Sequence, residues 1–334
     1  MDAVADKSPI ATNLSNHSIS VDCIYLAASA CDSRFTRICV ASIRYFYPDV
    51  PIRLLAGGPL QPGLLEELGR YWNVEVANFP VGDYGWGFVK LEPLFGMQGA
   101  KFLVLDSDTV ITGPILGIWG NSNAPFLVDD EVQSETNTKR LYYDWKKLYE
   151  IDPQARPPAF VFNSGQWFGT QGILNRGDFA LWVEWSMPRQ LRHPTLFMPG
   201  DQGILNYVLN QKAALEGLPV ERKQIMRWPG HSMNDLDAEV VSKRMAPALV
   251  IHWAGMKKFR LRNMIGGDIL LYFEKYYYSR VPAGGVRRLW ANCRDTLSRV
   301  NHWIVGSIRL TYQKRIVPVI SWRLSRRAKP SEGV

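Results

Sequence analysis

The feature that most constrains this chain is a regular alternation of strand-like and helix-like stretches near its start. "VDCIYLAA" from Val21 is apolar enough for a buried strand, and "RFTRICVASIRYFYP" from Arg34 has helical spacing and is stopped by Pro48. "PIRLLAGG" from Pro51 then reads as a strand ending in a glycine turn, "PGLLEELGRYW" as a helix and "NVEVANF" as a third strand. Strand, helix, strand, helix, strand predicts an α/β fold whose mostly parallel sheet is flanked by helices on both faces. Such sheets receive ligands at the carboxyl ends of their strands.

One strand end carries chemistry. In "KFLVLDSDTVITGPI", from Lys101 to Ile115, a short apolar strand is followed at once by Asp106, Ser107 and Asp108. A chain that turns as it leaves the strand can aim both carboxylates at one point. They then offer hard oxygen ligands to Mn²⁺ or Mg²⁺, which can also bridge substrate phosphates. A strand-end aspartate can equally cap the following turn, so the pair alone leaves both readings open. A GxGxxG loop and a P-loop are absent, which argues against the usual ways of holding a dinucleotide or ATP.

Composition bounds the rest. With 334 residues, 46% of them apolar and 12% aromatic, the chain can fill one large domain with appendages or two ordinary ones, and it is not a disordered sequence. Cys23, Cys31, Cys39 and Cys293 form no CxxC pair; Cys23 falls in a predicted strand and Cys39 in a predicted helix, so packing is the expected use. Met1 to Ser20 holds no apolar run that could serve as a signal peptide, and a reducing, cytoplasmic setting is expected.

Three further stretches complete a resemblance. "FVKLEPLFGMQGAKFLVLDSDTVI", "FVFNSGQWFG", "GDQGILNYVL" and "VIHWAGMKKF" occur in an order similar to that of the metal-dependent GT-A glycosyltransferases, particularly family 8. That family includes glycogenin and the bacterial lipooligosaccharide galactosyltransferases. The resemblance spans roughly Val21 to Phe259 and implies a GT-A fold with a single Rossmann-like, mostly parallel mixed sheet. The implied division is a tail over 1–20, a catalytic domain over 21–265 and a basic, amphipathic C-terminal helical extension over 266–334.

The resemblance also implies roles. His252 matches the third protein ligand to the divalent cation beside Asp106 and Asp108, and an imidazole with two carboxylates favours Mn²⁺ over Mg²⁺. Lys258 matches the lysine that reaches the donor diphosphate, with Lys257 as the alternative if the loop register differs. Gly255 would let backbone approach the phosphates. Lys90 matches a basic residue near the donor and the metal, and Ser107 lies between the two carboxylates in the donor-binding stretch. Asn163 and Gly165 match positions lining the sugar, as do Asp201 and Gln202, with Gln202 near the reacting anomeric centre. On local grounds alone Asp201 is an N-cap. Asp129 or Asp130 matches an aspartate that holds sugar hydroxyls.

The implied reaction is metal-dependent hexose transfer from a nucleotide sugar, UDP-glucose or UDP-galactose, to a hydroxyl of a glycan or glycolipid, with retained anomeric configuration. Other classes on a similar scaffold are a sugar nucleotidyltransferase and a non-catalytic nucleotide-sugar-binding protein. Departures from the pattern are Phe259-Arg260 in place of proline-tryptophan, and a first loop, "AASACDSRF", with no clear aromatic to stack on uracil. Of the twelve tryptophans, Trp167, Trp228 and Trp253 sit beside the motifs and are the candidates for sugar contact, while Thr138 to Phe160 is a candidate acceptor wall.

The net charge of +8 is concentrated at one end. From Met256 onward 17 Lys and Arg face 4 Asp and Glu; the preceding residues carry 22 basic against 27 acidic. The apolar runs of the extension are too short and too charged to span a bilayer. They suit an anionic membrane interface, on the inner face of the cytoplasmic membrane, with Trp303, Ile304 and Trp322 in the headgroup boundary, or a helical subdomain packed on the catalytic domain. No nucleic-acid module accompanies the charge.

Overall fold

The computed structural model describes residues 21–79, 87–96, 98–120, 122–186, 189–198, 200–230, 233–256 and 260–293. Residues 1–20, Lys257, Lys258, Phe259 and the extension beyond residue 293 lie outside the described residues, together with the expectations placed on them.

Two compact units divide the chain, Met1–Tyr277 and Tyr278–Val334. The first unit opens with β1 (Cys23–Ala28), α1 (Ser33–Phe46), β2 (Ile52–Ala56), α2 (Leu64–Trp72) and β3 (Val74–Val76). These are the elements that the alternation predicts. β4 (Lys101–Asp106), β5 (Thr109–Ile111), β6 (Phe126–Asp129), α3 (Glu135–Leu141), α4 (Trp145–Ile151) and β7 (Gln166–Thr170) follow. The chain continues through β8 (Val183–Glu184), β9 (Gln190–Leu191), α5 (Asp201–Glu216), β10 (Val220–Lys223), β11 (Met226–Arg227), α6 (Ala238–Ser242), β12 (Val250–His252) and α7 (Gly267–Ser279).

Seven strands form the main sheet in the order β10-β6-β7-β4-β1-β2-β3. All its pairings are parallel except those of β7, which runs against both β4 and β6. Phe102, Leu103, Val104 and Leu105 of β4 are all buried, as a strand covered on both faces requires. Each such side chain contributes about 1.5–3 kcal/mol through burial. Because β7 is reversed, its start meets the carboxyl end of β4, and the amide of Asp106 donates to Gly165 O at 2.8 Å.

A second sheet, β11-β12-β5, continues from that corner. β5 leaves the Asp106–Asp108 turn and pairs antiparallel with β12, setting Thr109 opposite His252. α1 backs this sheet, with the Ile111 amide donating to Ser42 Oγ at 3.2 Å.

The first unit extends past the expected boundary at residue 265. In α7, Glu274 is fully buried against Arg34 at 2.6 Å, and the Tyr277 ring stacks on Trp72 at 4.8 Å. Glu274 and Tyr277 are therefore packed into the core of the first unit. In the second unit, residues 284–293 are helical and expose Val286, Leu289 and Trp290.

Candidate functional site

Asp106 ends β4, Ser107 and Asp108 make the turn into β5, and His252 ends β12. The turn is tied down on both sides. Thr109 Oγ1 donates to Asp106 O at 2.7 Å, and the amide of Trp253 donates to Asp108 O at 3.0 Å. One ligand atom each from Asp106, Asp108 and His252 falls within 4.8 Å of the other two. His252 Nε2 lies 3.3 Å from Asp108 Oδ1 and 3.8 Å from Asp106 Oδ2.

The network around His252 decides which ring nitrogen carries the proton. Asn163 Oδ1 accepts from the Gly165 amide at 2.8 Å, which fixes that atom as oxygen, and it also lies 3.0 Å from His252 Nδ1. In the neutral ring Nδ1–H therefore donates to Asn163, and the Nε2 lone pair faces the two carboxylates. An outer hydrogen bond of this kind orients a metal-binding imidazole. Asn163 to Gly165 form the loop just ahead of β7. A Cβ on Gly165 would come 2.3 Å from His252 Cε1. Only glycine leaves room for the ring, so Gly165 lies beneath His252 rather than in the wall of the site.

Lys90 lies in the 3-10 helix Phe88–Phe95, and its side chain is buried. Its Nζ is 2.9 Å from Asp106 Oδ1 and 3.1 Å from Asp201 Oδ2, and it donates to Ser164 O at 3.2 Å. Burial works against its charge, but the Asp106 and Asp201 carboxylates outweigh burial and hold its pKa above that of an ordinary lysine. Burial pushes the Asp201 carboxyl up against the pull of Lys90.

That pairing corrects the N-cap reading of Asp201. Gly200, at φ 93°, takes the N-cap position, and Asp201 is the first residue of α5 with its carboxylate turned to the buried ammonium. Gln202 follows, its amide held by donation to Leu141 O at 2.8 Å and by acceptance from Asn163 Nδ2 at 3.1 Å.

These groups surround a cavity of about 830 Å³ at the carboxyl edge of the main sheet. Lys90, Asp106, Ser107, Asp108, Asn163, Asp201, Gln202, His252 and Gly255 line it. Its far wall is Ala27 to Ala30, Asp32 and Gly57 to Pro59, from the ends of β1 and β2; no aromatic side chain lines it among the described residues. Ser164, from the Asn163–Gly165 motif, also lines the cavity, as does Met198, which no motif marked.

Asp129 and Asp130 lie elsewhere. Asp129 is buried at the end of β6, accepting from the amides of Ile225 and Met226 at 2.8 and 2.9 Å, and Asp130 is 3.7 Å from Arg222. Neither is in the described cavity lining. In the Thr138 to Phe160 segment, Tyr142, Tyr143 and Leu148 are core residues, and Leu141 reaches the site through its carbonyl.

The donor set fits a divalent cation. Two carboxylates and an imidazole lone pair converge on one point. Among the described charged residues lining this part of the cavity, Asp106, Asp108 and Asp201 face a single ammonium, Lys90.

No model of a known protein family matches the chain, and no curated protein matches it. Solved structures do. The galactosyltransferase LgtC in complex with donor and acceptor sugar analogs is 15% identical, covers 77% of this chain and 96% of its own, and superposes with a TM-score of 0.51. An active-site glutamine-to-glutamate variant of LgtC is 14% identical over 75% of this chain and 94% of its own, with a TM-score of 0.50. The fold is that of the GT-A glycosyltransferases. In GT-A terms, the Asp-Asp-His cluster lies where the mixed central sheet passes into the small sheet, and the cavity opens along the carboxyl edge of β1, β2 and β4.

Proposed function

We propose that this chain is a retaining, Mn²⁺-dependent hexosyltransferase that moves glucose or galactose from its UDP derivative to a hydroxyl of a glycan or glycolipid. The observation that carries this reading is the convergence of Asp106, Asp108 and His252 within 4.8 Å on the wall of a cavity of about 830 Å³ in a GT-A fold.

Manganese suits the mixed oxygen and imidazole donor set better than magnesium does. When bound, the cation supplies a Lewis acid against the negative charge that grows on the departing diphosphate. The chain's own residues arrange the rest. Asn163 keeps the His252 lone pair turned inward, and Lys90 holds Asp106 and Asp201 in one cluster. Asp201, Asn163 and Gln202 orient the sugar, Lys258 meets the diphosphate, and Gly255 leaves room for it, since no described residue lies within 4 Å of a Cβ placed there.

Retention by two displacements needs a carboxylate nucleophile. Asp201 is engaged by Lys90, and the amide of Gln202 is a poor nucleophile and already held at both ends. This supports front-face return, in which the departing phosphate oxygen takes the proton of the acceptor hydroxyl. No glycosyl adduct on Asp201 is expected by mass spectrometry during turnover.

An anionic membrane surface is proposed as the partner of the basic extension, which would place the enzyme at the inner face of the cytoplasmic membrane. Exposed Val286, Leu289 and Trp290, spaced along one helical face, support it. Among the described residues no helix is long and apolar enough to cross a membrane.

The test is UDP release from a panel of UDP-sugars with Mn²⁺, by the wild type and by Asp108→Asn. Turnover of one donor is expected, lowered at least about a hundredfold in the variant, the scale of losing a main source of transition-state charge stabilisation. Absence of metal-dependent binding of any donor overturns the reading.

A further inference from the structure

The structure separates the three tryptophans beside the motif segments. Trp167 is buried edge-on against Phe102, and buried Trp253 donates its indole N–H to Ile265 O at 2.8 Å. Both belong to the core. Trp228 is 41% exposed, and its ring lies 5.4 Å from that of His252 at an interplanar angle of 17°.

A single exposed tryptophan means little by itself. The stacking gives this one a location. Trp228 rests on the imidazole that completes the metal cluster, which sets its ring one side chain away from the cavity without making it part of the lining. His252 does not need it as a brace. The ring is fixed by its hydrogen bond to Asn163, by the tight contact over Gly165 and by the pairing of β12 with β5. What Trp228 adds is a flat apolar surface open to solvent. Arg227, its chain neighbour, is paired with the exposed Asp235 at 2.6 Å, which sets charged hydrogen-bonding groups close by.

A pyranose has complementary chemistry: one face of C–H bonds, rimmed by hydroxyls. We infer that Trp228 is the platform on which a pyranose ring of the acceptor stacks, and that the acceptor is therefore a glycan rather than a protein side chain. The inference rests on the reading of the cavity as a glycosyl-transfer site, and deepens it by assigning the acceptor subsite and its ligand class.

The experiment uses the full chain with Mn²⁺ and UDP, titrated with the methyl α- and β-glycosides of glucose and galactose and followed by saturation-transfer NMR. At least one glycoside is expected to bind, with transfer concentrated on the protons of one ring face. Trp228→Ala weakens that glycoside about tenfold, the scale of one stacked aromatic contact, and Trp228→Tyr recovers most of the loss. Mn²⁺ affinity, read on the same variants by electron paramagnetic resonance, changes by a smaller factor.

The inference is overturned if none of the glycosides binds the wild type, if Trp228→Ala binds as the wild type does, or if glycoside and Mn²⁺ affinities fall together. UDP release from donor without acceptor separates the two readings. A wild type that turns over a donor but fails the glycoside test loses only the platform; one that neither binds nor turns over any donor loses the transfer reading as well.

Discussion

Asn163 makes three hydrogen bonds at once, and the one from the Gly165 amide fixes the chemistry of the other two. Replacing it with alanine removes the acceptor that holds the His252 Nδ1–H and lets the ring exchange tautomers. Asn163→Ala is expected to weaken Mn²⁺ binding about 10- to 100-fold, the usual effect of losing an outer hydrogen bond, when titrated by electron paramagnetic resonance. Gly165→Ala should do the same by a steric route, since its Cβ would occupy space within 2.3 Å of His252 Cε1. A variant that binds Mn²⁺ as the wild type does would mean the ring is held by other contacts. Asp129 gives a pH signature instead. Burial raises its carboxyl from 3.8 to about 6, against two backbone amides that favour the charged form. The folded chain thus holds this proton more tightly than the unfolded one. The stability it contributes is complete below about pH 4 and is lost as pH rises through about 6, a change of about 3 kcal/mol. Asp129→Asn should flatten that part of the stability profile in urea melts at pH 4 to 7. The sequence carried the carboxylates and the histidine because their residue types and spacing are chemical signals. It did not carry the partner of Lys90 or the tautomer of His252, which depend on groups brought together only by folding.

At the scale of elements, α5 grips the segment before β7 through a row of buried amides. Gln211 pairs with the backbone of Arg156, Asn210 with that of Ala159 and Phe160, and Asn206 with both the N–H and the C=O of Phe162, each at 2.9 Å. Gln202 continues the row to Asn163. The helix supplies hydrogen-bond partners to the backbone of that segment and so sets the loop that orients His252. Asn206→Leu would leave the Phe162 backbone buried without partners, at a cost of about 1–3 kcal/mol for each group. A loss of about 2–4 kcal/mol in denaturant unfolding is expected, together with weaker metal binding. Polar residues at 202, 206 and 210, spaced four apart on one helical face, are the signal in the sequence for this contact. The strand and helix alternation from Val21 to Phe79 was legible because buried parallel strands and amphipathic helices have distinct patterns. The reversal of β7 was not, since an antiparallel insert in a covered sheet is as apolar as its neighbours.

Across the whole molecule, the cavity is built from short pieces far apart in sequence. Motifs revealed the pieces with charged side chains; the wall from Ala27 to Ala30 and Gly57 to Pro59 offers mainly backbone and small side chains, so residue type did not mark it. The proposed membrane contact of the extension has its own test at this scale. Replacing Val286, Leu289 and Trp290 with aspartate should abolish sedimentation of the full chain with phosphatidylserine vesicles, and raised salt should weaken sedimentation of the wild type. Equal sedimentation of wild type and variant would remove the 284–293 helix from any lipid role. The pairing of β5 with β12 has a consequence for synthesis. The Asp106–Asp108 turn emerges from the ribosome long before His252, and until β12 arrives one edge of β5 has no strand to pair with. Full metal affinity should therefore appear only when the last strand closes that sheet, making cation uptake a late reporter of nascent-chain maturation, and chains stalled before residue 250 should be prone to associate through that open edge.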